Sequence, residues 1–159
     1  MPAYPLRHVD DSFLEEAPLV VRSSVRLQAE PSAVWAALGS DEMWSWLPVI
    51  DNLEWQSPKP YTAGSIRRLR LGKFVTVDEE FYRWDVDRRA TFRIVGQSRR
   101  VLDAAVEDFL LEPRDGGTEL TWTMAVSPLR GRGLPLGLLA PLLAPGNTVA
   151  LAGIKKLLR

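Results

Sequence analysis

Alternating apolar and polar residues dominate most of the chain and predict strands. Residues 19–28, LVVRSSVRLQ, alternate in this way, as expected where successive side chains point to opposite faces of a sheet. Similar stretches separated by short turns predict six further strands: 51–57, 64–71, 73–85, 88–96, 101–113 and 117–127. Because strands joined by tight turns are antiparallel neighbours, the pattern predicts a seven-stranded antiparallel sheet.

Helical spacing of apolar residues appears after the first strand and at the end of the chain. Residues 29–38, AEPSAVWAAL, predict one short helix with a proline in its first turn. Residues 42–47, EMWSWL, predict a second short helix that ends at Pro48. A final helix is predicted at 147–158, and it is long enough to cover the concave face of a curled sheet. The predicted class is therefore α+β, a sheet that grips a C-terminal helix.

The hairpin after residue 106 decides which of two adjacent acids points inward. A two-residue turn at Asp115–Gly116 has the residue types that primed hairpin turns favour. Counting outward from it, Phe109 faces Trp122 and Glu107 faces Met124. A turn at Gly116–Gly117 would shift this pairing by two residues and leave the same side chains on the same face. Glu107 thus shares the apolar face, whereas its neighbour Asp108 points to the other side.

The turn at residues 85–88 leads to the same inner face for the two strands that it joins. A two-residue loop at 86–87 pairs Phe81 with Phe92 and points both rings inward. Glu79 lies on this face as well, and Arg83 follows on the same face nearer the rim.

An inward carboxylate in an apolar interior must find a partner, take up a proton or meet water. One interpretation pairs it with Arg68, Arg70 or Arg83 inside a water-containing cavity. The other gives it contact with a ligand or a role in proton transfer. The inward aromatic residues are similarly open to two interpretations, plain core or pocket lining.

Composition narrows the function classes. The 159 residues fit a single domain at 19–159 after an N-terminal arm at 1–18, and 20 basic residues balance 20 acidic ones, which disfavours a nucleic-acid partner. With no cysteine and one histidine, His8, the chain predicts neither a metal site nor a Ser-His-Asp triad. We expect no cofactor. No signal sequence or apolar stretch of about 18 residues is found, so we expect a cytoplasmic protein without an integral membrane segment.

Several segments in order resemble the polyketide cyclase/dehydrase family of the START-like (SRPBCC, helix-grip) superfamily. These are VRLQAEPSAVWAALGS, the pair Trp46 and Pro48, GSIRRLRLG, EFYRWDVDRRATFRI and EDFLLEPRDGGTELTWT. RGLPLGLLAPLLAP and GIKKLL resemble the segment before the family's C-terminal helix and the end of that helix. The resemblance spans about residues 19–159.

This resemblance implies a seven-stranded antiparallel sheet around the last helix, with a deep cavity between them. Members of the superfamily bind lipids, sterols, polyketides and other hydrophobic molecules, and a minority are enzymes. No universal catalytic motif carries over to this chain. The expected ligand-binding residues are Trp46, Trp55, Val77, Glu79, Phe81, Arg83, Phe92, Glu107, Phe109, Trp122, Met124, Val149 and Gly153.

Three functions compete. The first is binding of a small hydrophobic ligand without catalysis. The second is a cyclase or dehydratase that folds a flexible substrate and uses Glu79 or Glu107 as acid or base. The third is a membrane- or protein-interaction module acting through residues 134–145, which otherwise serve as a flap over the cavity. A monomer and a homodimer are both compatible with the sequence.

Overall fold

The computed structural model describes residues 2–130 and 145–158. Eight antiparallel strands form one sheet within this part of the chain. They are β1 (Tyr4–Pro5), β2 (Leu19–Leu27), β3 (Ile50–Trp55), β4 (Ser65–Leu71), β5 (Val75–Asp85), β6 (Arg89–Gln97), β7 (Leu102–Arg114) and β8 (Gly117–Pro128). The seven long strands follow the order β2-β8-β7-β6-β5-β4-β3, and β1 pairs with the end of β6. All seven predicted strands are present, with ends that differ by one or two residues.

Helices lie at three places. They are α1 (Phe13–Glu16), α2 (Pro31–Leu38) and α3 (145–152), and α3 continues as a 3₁₀ turn at Gly153–Leu157. The predicted C-terminal helix is confirmed and begins two residues earlier than predicted. The antiparallel sheet, the C-terminal helix and the short helices confirm the α+β, helix-grip class.

Consecutive turns replace the short helix predicted at 42–47. Trp44 has a φ of 69°, which is incompatible with a right-handed helix. Its side chain is buried, and its ring centroid lies 5.0 Å from that of Trp122. Burial of a large aromatic ring thus outweighs the weak local preference for helix in this stretch.

The predicted register of the last hairpin is confirmed. Arg114 pairs with Gly117, Phe109 with Trp122 and Glu107 with Met124. Asp115 and Gly116 form the turn with φ values of 39° and 78°, as a primed two-residue turn requires.

The core has two parts on opposite faces of the sheet. The larger part joins the inner face to α2, to the turns around Trp44 and to the C-terminal helix through Leu151 and Ile154. The smaller part covers the outer face, where Phe13 and Leu14 of α1 pack against Val106 and other small residues of β7 and β8. The N-terminal residues therefore extend the packed structure beyond the predicted domain.

Candidate binding site on the inner face of the sheet

Aromatic side chains form a continuous band across the inner face. Phe81, Phe92, Phe109 and Trp122 come from the neighbouring strands β5, β6, β7 and β8. The successive ring centroids are 4.7, 5.9 and 6.0 Å apart, and all four rings are buried. The period-two alternation of each strand places these rings on one face, so the band is a direct product of register.

An ion pair lies beside this band. Arg67 Nε of β4 donates to Glu79 Oε2 of β5 over 2.6 Å, and the side chains are only 1% and 4% exposed. The guanidinium also lies 5.0 Å from the Phe81 ring centroid and 5.3 Å from that of Phe92. Removing one partner of such a buried pair costs about 3–5 kcal/mol, because the other charge is left uncompensated. The pair therefore places two charged side chains next to the apolar aromatic band.

Glu107 is the second acidic group on the inner face. Trp122 Nε1 donates a hydrogen bond of 2.8 Å to its Oε2 atom. Burial raises the pKa of Glu107 to about 8, and the negative charge of Glu79 adds to this effect. The Trp122 hydrogen bond and the charge of Arg67 oppose the shift without cancelling it. At neutral pH the Glu107 side chain is therefore mostly a neutral carboxylic acid that can donate a proton in a hydrogen bond.

Glu107 keeps accessible surface, whereas several of its neighbours on the inner face do not. Ala105, Phe109 and Phe92 are buried, while Glu107 and the facing Met124 are half-buried. These two residues face each other on the neighbouring strands β7 and β8. Glu107 and Met124 are therefore positions at which this part of the inner face retains accessible surface.

The C-terminal helix faces this wall through a contact with Trp46. Trp46 Nε1 donates a hydrogen bond of 2.8 Å to the carbonyl oxygen of Ala150. Gly153 permits this approach, because a Cβ atom at residue 153 would lie 2.0 Å from Trp46 Nε1. Trp46 in turn lies against Trp44, with ring centroids 5.7 Å apart. The turns at 41–46 therefore connect the helix to the aromatic band.

A second aromatic group lies toward the β3 edge of the sheet. Trp55 stacks on Tyr61 at 3.8 Å, and Trp84 meets Trp55 edge-on at 5.7 Å. Trp84 also lies 4.7 Å from Trp35 of α2. Trp55 joins this group to the ion pair, since the Arg67 guanidinium lies 5.5 Å from its ring centroid.

Most of the predicted lining residues lie together on the inner face. The structure brings together the following: Trp46, Trp55, Val77, Glu79, Phe81, Phe92, Glu107, Phe109, Trp122, Met124 and Gly153. Whether they bind a ligand remains a prediction.

The predicted inward orientation of Arg83 is wrong. The register of β5 against β6 shifts between Phe81 and Arg83, so Tyr82 and Arg83 both lie on the outer face. Arg83 Nη2 bonds Asp11 there, and Tyr82 Oη donates to Asp11 Oδ1 over 2.8 Å. A β-bulge adds one residue and reverses the parity of the strand beyond it.

The predicted inward orientation of Val149 is wrong as well. Its side chain is 75% exposed, while Asn147, Leu151 and Ile154 are buried. The helix is thus rotated about its axis relative to the predicted face, because Trp46 packs against Ala150 and Gly153.

Sequence reasoning missed Arg67 and Trp84. For Arg67, the alternation of Ser65, Arg67 and Leu69 along β4 contains the signal, since Leu69 is the apolar member of this set. Arg68 and Arg70, which were considered as partners of an inward acid, bind Asp78 and Asp51 instead. No comparable signal exists for Trp84, because only the bulge turns it inward.

The described residues contain no group of three or more acidic or histidine side chains arranged to hold a metal ion. None of the described helices is long and apolar enough to cross a bilayer. The predicted flap or interaction segment, residues 134–145, lies outside the described residues except for its last position.

The fold defines the class of protein. A START superfamily protein from Mycobacterium smegmatis superimposes with a TM-score of 0.70 at 17% identity, over 88% of this chain and 99% of that one. A protein from Thermus thermophilus gives a TM-score of 0.65 at 20% identity, over 87% of this chain and 96% of the other. At these identities the likeness shows a shared START-type, helix-grip fold.

The sequence then identifies the family. The chain belongs to the polyketide cyclase/dehydrase and lipid transport family, whose model matches residues 18–159. Uncharacterized proteins of Mycobacterium tuberculosis and Mycobacterium bovis are each 37% identical to it over 123 residues, which cover 77% of this chain and 74% of theirs. This family and this fold are consistent with binding of a hydrophobic ligand or with a polyketide cyclase type of activity.

Proposed function

We propose that this protein binds a small, mostly apolar molecule between the inner face of the sheet and the C-terminal helix. The observation that supports this most directly is the accessible surface of Glu107, surrounded by buried apolar neighbours. Binding sites of this kind combine apolar walls with a few polar groups that orient the ligand. The aromatic band supplies the apolar walls, and Glu107 supplies the orienting group.

The chemistry of Glu107 indicates the polar group of the ligand. Its Oε2 atom already accepts a hydrogen bond from Trp122. With a pKa of about 8 the carboxyl holds a proton at neutral pH, and the second oxygen is then free to donate. A carbonyl or hydroxyl oxygen on the ligand fits this donor. A ligand carboxylate fits less well, because Glu79 contributes a negative charge nearby.

A cyclase or dehydratase activity is the second candidate, and the same carboxyl supports it. A proton donor with a pKa near neutrality is suited to general acid–base catalysis. Glu107 has such a pKa and is accessible from the interior, whereas Glu79 is held by Arg67. In this case Glu107 would protonate a leaving hydroxyl or a carbonyl oxygen, while the aromatic walls hold the substrate folded.

Native mass spectrometry of the protein with extract from its own organism tests the binding function. We expect a discrete added mass that is released on denaturation and lost in Trp122→Ala. With the molecule thus identified, Glu107→Leu should weaken binding by about two- to tenfold, the equivalent of one net hydrogen bond. Glu107→Gln keeps an N–H donor and should bind nearly as well as the wild type.

Glu112→Leu is the matched control, since Glu112 lies on the same strand with a side chain that is 45% exposed. Equal affinities of the Glu107→Leu and Glu112→Leu variants would contradict the proposed role of Glu107, and an unliganded mass under all conditions would contradict a stable ligand. Turnover of the bound molecule that disappears in Glu107→Gln, although binding persists, would instead establish the enzyme.

A further inference from the structure

One end of the sheet concentrates exposed apolar residues. The turns β4–β5 at 72–74 and β6–β7 at 98–101 lie at this end, together with the last residues of β8, as the antiparallel order requires. We call it the basic end, because its turns also carry Lys73, Arg99 and Arg100. Phe74 is 74% exposed there, and Tyr4, Val49 and Val101 are exposed as well. At the opposite end, the β5–β6 turn carries Val86 as an exposed large apolar residue.

Cations without acidic partners accompany these apolar residues. Lys73, Arg99, Arg100 and Arg130 form no ion pair within the described part of the chain. Two of the acids near them are already paired, since Asp51 binds Arg70 and Asp103 binds Arg7. The chain as a whole has a formal net charge of zero. The positive charge at the basic end is therefore a local feature of the surface.

A surface groove of about 250 Å³ lies between the two turns of the basic end. Arg70, Lys73 and Arg99 line it together with Ser98. The Ser98 hydroxyl accepts a hydrogen bond from the Thr76 backbone N–H, so its own proton is available to a ligand oxygen. A phosphate group is the ligand chemistry that such a set of donors and cations suits.

We propose that the basic end docks onto the surface of an anionic phospholipid bilayer. Phe74 projects from a three-residue turn in which Gly72 has a φ of 53°, and it would insert among the acyl chains. Lys73 and Arg99 would lie at the level of the lipid phosphates, one of which the groove would accept. Phe74 and Val101 lie on separate turns, next to Lys73 and Arg100, and this dispersed arrangement suits a fluid surface better than a preformed protein pocket.

This docking goes beyond the proposed interior site and does not need a ligand in it. Val101 also connects the basic end to the segment after β8, because the Leu129 N–H bonds the Val101 carbonyl oxygen over 3.2 Å. A bilayer held at this end would therefore lie next to the start of the chain segment that leads to the C-terminal helix.

Vesicle flotation of the full chain tests the proposal. One set of vesicles contains phosphatidylcholine alone, and the other contains equal amounts of phosphatidylcholine and phosphatidylglycerol. We expect binding to the second set only, weakened at high salt because screening shortens the range of the attraction. Reversing two charges in Lys73→Glu/Arg99→Glu should reduce the partition coefficient about tenfold or more, and Phe74→Ser should reduce it several-fold.

Arg88→Glu and Val86→Ser provide matched controls at the opposite end of the sheet. Arg88 is exposed and carries no ion pair within the described residues, and Val86 is 64% exposed. Both controls should bind vesicles like the wild type. Absence of binding to either vesicle set, or equal losses in the control variants, would overturn the proposal. A dimer that Phe74→Ser dissociates, without vesicle binding, would also overturn it and assign this end to a second copy of the chain.

Native mass spectrometry, which measures the mass of any bound ligand, distinguishes membrane docking from ligand binding at the interior site. The Lys73→Glu/Arg99→Glu variant should retain any interior ligand, and the Glu107→Leu variant should retain vesicle binding. Failure of one function thus leaves the other testable.

Discussion

At the scale of the residue, Glu107 shows that the face of the strand on which a side chain lies determines its electrostatic environment. Its neighbour Asp108 lies on the outer face, where Arg89 Nε donates to it over 2.9 Å and the Thr91 hydroxyl over 2.7 Å. Glu107 accepts a hydrogen bond from the Trp122 indole N–H and faces the interior. Two adjacent acids thus have different electrostatic environments because they point to opposite faces of one strand. Burial raises the pKa of the inward acid, Glu107, to about 8.

This raised pKa predicts a pH dependence of stability. The unfolded chain releases the Glu107 proton near pH 4.5, whereas the folded protein retains it up to about pH 8. The folded state binds more protons in this interval, so Glu107 lowers the free energy of unfolding as pH rises through it. Glu107→Gln removes this contribution. Urea denaturation at a series of pH values should show that the variant gains stability over the wild type as pH increases.

The difference between the two curves isolates Glu107, since the other titrating groups are common to both proteins. Parallel curves between pH 4.5 and pH 8 would show that Glu107 has an ordinary pKa.

At the scale of elements, small departures from regular geometry decide which side chains reach the interior. The bulge in β5 turns Arg83 outward and Trp84 inward, where the Trp84 ring meets Phe81 at 5.3 Å. The contact of Gly153 with Trp46 similarly fixes the orientation of the C-terminal helix. Each departure depends on packing between elements distant in sequence.

Substitution of Gly153 by alanine tests the orientation of the helix. The new Cβ would lie 2.0 Å from Trp46 Nε1, so the indole must move and its hydrogen bond to Ala150 must break. We expect a loss of about 1–3 kcal/mol in the free energy of unfolding, with a change in tryptophan fluorescence. Chemical denaturation followed by fluorescence measures both effects.

Gly146→Ala in the same helix is the matched control. A Cβ at residue 146 meets no atom within 4 Å, and alanine should stabilise the helix by up to about 1 kcal/mol. If both alanines changed stability in the same direction, the close packing of Trp46 on Gly153 would be disproved.

At the scale of the whole molecule, the N-terminal residues complete the outer face of the sheet. Phe13 and Leu14 cover small side chains of β7 and β8, including Val106 and Ala125. Asp11 adds polar contacts to Tyr82 and Arg83. The inner face thus serves the candidate site, while the outer face is closed by the start of the chain.

Phe13→Ala should loosen this N-terminal packing without unfolding the sheet. Truncation of a buried phenylalanine costs about 3 kcal/mol or more of the free energy of unfolding. Because the arm can detach while the sheet stays folded, the loss does not exceed the free energy with which the arm packs on the sheet. The Arg7 N–H, which bonds the Asp103 carbonyl oxygen over 2.8 Å, should then exchange with solvent faster. Amide hydrogen exchange by NMR measures this rate, with the amides of β7 and β8 as the protected reference.

Val86→Ala removes an exposed apolar side chain that takes no part in the packing around Phe13 and should leave the Arg7 rate unchanged. An unchanged Arg7 rate in Phe13→Ala itself would show that the polar contacts of Asp11 are sufficient to hold the arm.

The sequence alone determined the positions of the seven long strands, the register of the last hairpin and the inward position of Glu107, because side-chain alternation and turn chemistry are local properties. The pairing of β2 with β8 joins distant parts of the chain and came from the tertiary structure. The Phe81–Phe92 pair is confirmed as well, although the turn contains three residues, 86–88, instead of the predicted two, and the bulge at Tyr82 restores the pairing. The tertiary structure alone decided the Arg67–Glu79 pair, the outward turn of Arg83, the inward turn of Trp84 and the exposure of Val149. The Arg67–Glu79 pair depends on the register of β4 against β5. The other three depend on a bulge and on a helix rotation, which involve contacts with distant parts of the chain, such as Asp11 for Arg83 and Trp46 for the helix.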